Sequence, residues 1–195
     1  GLLQCELEGY HLLCQILLKR PNLDGLVADF AQQYPYSPEL ARVLFHYSVY
    51  YFEQENYVRS LEIMEGLQDA YLRKDERLEY LFNRAFCDLR TGNYTRSQAG
   101  FNKLLGMERN PFTQSSTYYL AYVYYVERKF EQALPLFKSL FSHMRYGVMS
   151  RYFWVESKFM MNDHEAVVDA GPDLYQDLDK EYQPRLARII SEAYF

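Results

Sequence analysis

A period of 33 to 37 residues runs through this chain and constrains its fold more than any other feature. Four segments, ENYVRSLEIMEGL (55–67), GNYTRSQAGFNKLL (92–105), RKFEQALPLFKSLF (128–141) and NDHEAVVDAG (162–171), share one order. Each is a turn, then an aromatic residue or His, then a small residue near the start of an apolar-periodic run. Those small residues, Ser60, Ser97, Ala133 and Ala166, lie 37, 36 and 33 apart. A second series upstream, Cys14, Ser48, Ala85, Ala121, Ser157 and Ser191, is spaced 34, 37, 36, 36 and 34. Two helices approach closely only where their side chains are small, so one small position on each arm of a recurring hairpin is a steric requirement.

Around these positions the apolar residues follow helical spacing, as in Leu44, Tyr47, Ser48 and Tyr51, then Leu61, Met64 and Leu67. Asn56, Gly92 with Asn93, Asn162 with Asp163, and Pro38 fall between the runs, where turns and caps belong. The pattern predicts helices over 3–19, 23–33, 38–54, 57–72, 75–91, 94–107, 113–127, 130–143, 147–161, 164–170 with a continuation at 172–178, and 183–195. Pro135 predicts a kink, and Gly171-Pro172 a break. The expected units are 1–36, 37–73, 74–110, 111–146 and 147–181, followed by the terminal helix 183–195. In that last helix Leu186, Ile189, Ile190 and Tyr194 call for a following partner, so the chain reads as a piece of a longer repeat protein.

Of the 195 residues, 21 are basic and 26 acidic, a net charge of −5 that gives no electrostatic pull toward phosphate backbones. Nucleic acid is therefore not an expected partner. No apolar run is long enough for a transmembrane helix. The three cysteines, with no CxxC pair, define neither a disulfide framework nor a zinc site, and Cys14 and Cys87 read as buried and inert. His11, His46, His143 and His164 are scattered without metal-ligand spacing. Paired carboxylates carry no acid/base signal without a cleft, and there is no Gly-rich phosphate loop or GxSxG elbow. No catalytic residue, cofactor or metal is expected, and the oligomeric state is left open.

The residues after each turn resemble the tetratricopeptide repeat (TPR). Tyr57, Ser60 and Met64 carry the resemblance, as do Tyr94, Ser97 and Phe101, and Phe130, Ala133 and Phe137. It covers roughly residues 38–180. The first-helix signature departs from the family, with Leu44, Tyr47 and Ser48 in one unit and Leu81, Arg84 and Ala85 in the next. The resemblance implies an all-α, right-handed TPR-like helical-hairpin solenoid of about five helix pairs plus a final helix. The stretch ending in Tyr34-Pro35-Tyr36-Ser37-Pro38 is also similar to bacterial cell-envelope repeat proteins, which implies a periplasmic or envelope location.

In such an array the first helices line the concave surface, and function is sought there. Counting from each small residue, the inward positions give Phe45 and His46, then Phe82, Asn83 and Phe86, then Tyr118, Tyr119 and Tyr122, then Trp154 and Lys158. Aromatics are abundant, with 20 Tyr and 13 Phe, and a strip of rings offers rigid contact area at low entropy cost. The expected function is a non-catalytic scaffold binding a protein or peptide, with Arg42, His46, Asn83 and Lys158 as orienting polar groups. The alternative is a carbohydrate-binding envelope module stacking sugars on Tyr118, Tyr122 and Trp154. A carboxylate clamp of the kind some TPR proteins use finds only Asn83 in place, with Phe45, Val49, Ser115 and Tyr119 at its other positions.

Overall fold

The computed structural model describes residues 2–108 and 110–195. Among these residues the fold is all-α, five TPR-like helix pairs and a final helix. The pairs are α1 (Leu2–Leu17) with α2 (Leu23–Gln33), α3 (Pro38–Glu53) with α4 (Tyr57–Glu65), α5 (Lys74–Arg90) with α6 (Tyr94–Leu105), α7 (Thr113–Val126) with α8 (Phe130–Ser139), and α9 (Gly147–Met160) with α10 (His164–Asp177). Helix α11 spans Gln183–Ala193. Local chemistry sets the starts. Ser37 accepts the Leu40 amide with Pro38 in the first turn, Asn56 accepts the Arg59 amide, and Asp163 accepts the Ala166 amide.

The ends repeat as well. In α1, α3, α5, α7 and α9 the chain closes with one left-handed residue: Lys19, Glu55, Gly92, Arg128 and Asn162, with φ of 51, 58, 82, 61 and 59°. The amide after it reaches back five residues, in the bonds from Arg20 to Gln15, Asn56 to Tyr51, Asn93 to Asp88, Lys129 to Tyr124 and Asp163 to Lys158. This is a Schellman closure made five times, and it fixes the true register of the units.

That register corrects the small-residue series. Ser48, Ala85 and Ala121 keep their places, but their equivalents in the first and fifth units are Leu12 and Val155 rather than Cys14 and Ser157. Cys14 is exposed, against the expectation of burial. On the second arm the equivalent of Ser60, Ser97 and Ala133 is Val167, which is fully buried, rather than the half-buried Ala166. Where the contact was correctly placed it is tight: Ser60 Oγ donates to the Ser48 carbonyl and Ser97 Oγ to the Ala85 carbonyl, both at 2.9 Å and both buried. Ala121 and Ala133 are sealed in the corresponding position.

Contacts group the chain into two compact units, Gly1–Gly100 and Phe101–Phe195, with the boundary inside α6. In the first, α3 packs on α1 and α2, and α5 on α3 and α4. Its core gathers Leu12, Ile16, Val27, Phe30, Val43 and Tyr47. In the second, α9 packs on α7 and α8, and α11 on α9 and α10. Met64 in the first unit, and Phe101 and Phe137 in the second, are fully buried, as the repeat resemblance implies.

Two expectations change here. The helix predicted over 57–72 stops at Glu65 with Gly66 as its cap, and a short 3₁₀ turn at Asp69–Tyr71 follows. Helix α10 runs unbroken through Pro172, and Gly171 lets it press onto α11: a Cβ on Gly171 would lie 2.6 Å from Ile190 Cγ1. In α11, Leu186 and Ile189 are buried against α9 and α10, Ile190 is half-buried and Tyr194 is 61% exposed.

Candidate partner-binding surfaces

In the first unit, Phe45 is not at a surface. It follows Ala41 and precedes Ser48 on one helical face, and that face is packed, leaving the ring 2% exposed. Asn83 is 4% exposed. Neither can meet a partner directly. Phe82 and Phe86 are half-buried, stacked on each other at 6.3 Å. Phe86 also meets Phe52 and Tyr57 edge-on at 5.5 and 5.7 Å. Each ring is therefore anchored by its neighbours and keeps partial exposure.

The polar centre of this unit is Glu76, which the sequence reading did not single out. It sits at the third position of α5, 4% exposed, and accepts the Arg73 amide at 3.0 Å and the Arg73 guanidinium at 3.0 Å. Arg42 Nε lies 3.4 Å and His46 Nε2 3.7 Å from the same carboxylate. The Arg42 guanidinium also faces the Tyr10 ring at 5.8 Å. Burial pushes the Glu76 carboxyl up, but the Arg73 hydrogen bonds and the Arg42 and Arg73 charges outweigh it and hold the group below the usual carboxylate range. His46 is held low chiefly by burial, with the Glu76 charge opposing, so the neutral ring is favoured. The one sequence signal for this hub is the spacing of Arg73 and Glu76, three residues apart at a helix start.

In the second unit every candidate ring is half-buried. Tyr118 stacks on Tyr146 at 4.9 Å and meets Phe137 edge-on at 6.2 Å. Tyr119 stacks on Phe101 at 6.0 Å, and Tyr122 meets Phe153 at 5.2 Å. Trp154 lies edge-on to Phe141 at 5.8 Å, with the Lys158 ammonium 5.3 Å from its centroid. Lys158 is committed to Asp163, 2.7 Å away. Burial first, then neighbouring phenols, raise the Tyr118 hydroxyl well above its usual value, so it stays protonated.

Beside these rings lies a network that the sequence did not reveal. Glu156, 2% exposed, accepts the Tyr125 hydroxyl at 2.6 Å and the Tyr152 hydroxyl at 2.9 Å and pairs with Arg185 of α11. It satisfies two phenols and ties α11 to the hairpin before it.

Among the described residues no cluster of His, Cys, Asp or Glu could hold a metal ion, and no helix is long and apolar enough to cross a membrane. No protein-family model matches the sequence, and no curated protein does. Two crystal structures match in fold. One is a protein of Podosopora anserina designated a kinesin light chain, with nearly identical TPR-like repeats; it is 10% identical, with a TM-score of 0.55 over 98% of this chain and 95% of that one. The other, a point variant of that protein, is 11% identical, with a TM-score of 0.56 over 97% and 94%. By fold the chain is thus a TPR-like helical-hairpin protein.

Proposed function

We propose that the chain is a non-catalytic protein-interaction scaffold that recognises a peptide or partner helix through first-helix aromatics. The observation that carries this reading is the half-burial of Phe82, Phe86, Tyr118, Tyr119, Tyr122 and Trp154. Each ring is held by neighbours, so little side-chain entropy remains to be lost on binding, and each is partly exposed, leaving apolar surface to desolvate. His46 and Arg42, already oriented by Glu76, supply polar contacts at the edge. The repeat fold supports protein partners as the ligand class, and the proposal takes residues 1–195 to act as a single TPR-like array. A periplasmic or envelope location belongs to the same proposal and rests on the style of the Tyr34–Pro38 stretch.

Display of random peptides against the chain, run beside a glycan array, tests the reading. Peptide binding that weakens roughly tenfold or more in Tyr122→Ala, with the melting curve showing a folded variant, supports it. Binding of glycans without peptides would replace it with the sugar-stacking alternative.

A further inference from the structure

Helix α1 carries two apolar faces. One holds Cys5, Leu12 and Ile16 in the core. On the opposite face Leu3, Leu7, Tyr10 and Leu17, with Leu18 just past the helix end, are 70, 62, 57, 66 and 66% exposed. Their spacing of three and four residues places them in one stripe, which also contains the exposed Cys14. The stripe is not a general property of these repeats. The repeated turn aligns Leu3, Tyr10 and Leu17 with the polar Glu39, His46 and Glu53 of α3, and Leu7 and Cys14 with Val43 and Tyr50, of which Val43 is buried in the core.

We propose that this stripe is an interface between two copies of the chain, with their α1 helices packed antiparallel about a two-fold axis. Size is the first argument. The stripe sets five large apolar side chains, each more than half exposed, along one face, on the scale of the ~300–600 Å² found for the largest patch on a typical monomer. Covered from both sides with its polar rim, it reaches the ~1,200–2,000 Å² of a specific interface. Charge is the second argument. Glu6 and Arg20 are both exposed, Glu6 near the start of α1 and Arg20 just past its end. An antiparallel register that seats Leu7 on Leu17 of the second copy also sets Tyr10 against Cys14 and brings Glu6 beside Arg20, twice over by symmetry. A parallel pairing would set like charges side by side. An anionic lipid surface suits the stripe poorly, because Glu6 and Glu8 stand in its N-terminal half.

Sedimentation velocity of the full chain, over a concentration series up to about 100 μM, tests this. The expected species has twice the 23.3 kDa chain mass. Leu7→Glu with Leu17→Glu is expected to give a monomer with unchanged helical signal and melting temperature, since both side chains are exposed. Glu6→Arg and Arg20→Glu are each expected to weaken the dimer by roughly tenfold, and the double swap to restore it. Four results would overturn the proposal. These are a monomer throughout, a dimer that survives the Leu7 and Leu17 changes, a double swap no better than the singles, or flotation of the native chain but not Leu7→Glu with phosphatidylglycerol vesicles.

Discussion

Gly92 gives the cleanest test of the repeated helix closure. Its φ is +82°, and a Cβ built there meets nothing within 4 Å, so Gly92→Ala changes backbone preference and no packing. Placing an L-residue in the left-handed region costs ~1–2 kcal/mol. The same change removes ~0.5–1 kcal/mol of unfolded-state freedom, leaving a net loss of about 0.5–1 kcal/mol. Glu55 and Arg128 occupy the same position at φ of 58 and 61°, both exposed, and there the arithmetic reverses. Glu55→Gly and Arg128→Gly should each gain about 0.5–1 kcal/mol. For a chain of this size that is a shift of ~2–4 °C per kcal/mol in melting temperature, downward for Gly92→Ala and upward for the other two. Urea unfolding at fixed pH gives the free energies directly. A neutral or stabilising Gly92→Ala, or a destabilising Glu55→Gly, would show that the closure does not bear on stability as argued.

Two further outcomes follow from buried carboxylates. Burial raises the Asp88 carboxyl above its ordinary value of 3.8, and one of its buried oxygens has no hydrogen-bond partner. A raised carboxylate favours the protonated folded state, so its penalty is full above the folded pKa and vanishes below the unfolded one. Asp88→Asn should therefore stabilise by ~1–2 kcal/mol at pH 7, with the gain fading as pH falls toward 3.8; a pH series of melts reads this, and a gain independent of pH would contradict it. Glu156→Gln leaves two phenols sharing a weaker acceptor and turns an amide toward Arg185, an expected loss of about 2 kcal/mol discounted for the exposed arginine. Hydrogen exchange should show α11 losing protection before α7, and uniform loss across both would refute its role as a tie.

Much of the fold was legible because its punctuation is chemical. Ser37-Pro38, Asn56 and Asp163 mark helix starts that the structure keeps, and the small pairs Ser48–Ser60 and Ala85–Ser97 do what steric reasoning asks of them. The register failed at Cys14 and Ser157 because it was counted from small side chains. It is set instead by left-handed residues, four of which are not glycine and so leave no plain mark in the sequence. Phe45 was misread for a related reason. Phe45, three residues before Ser48, is sealed, while Phe82 and Tyr118 at the equivalent positions of α5 and α7, and His46 beside it, are half-buried, so position on the helix alone does not decide exposure. Glu76 and Glu156 were hard to see because, beside the local partners Arg73 and Tyr152, the contacts that make each a hub come from other helices: Arg42 and His46 for Glu76, Tyr125 and Arg185 for Glu156.

Where a partner touches the chain decides most directly whether the first-helix rings bind it. Hydroxyl-radical footprinting of the chain, free and saturated with a peptide selected by display, reads this ring by ring. Protection of Phe82 and Phe86 on α5, or of Tyr118, Tyr119, Tyr122 and Trp154 on α7 and α9, is the predicted result. Protection confined to the second helices α4, α6, α8 and α10, with those rings labelled as before, would contradict it.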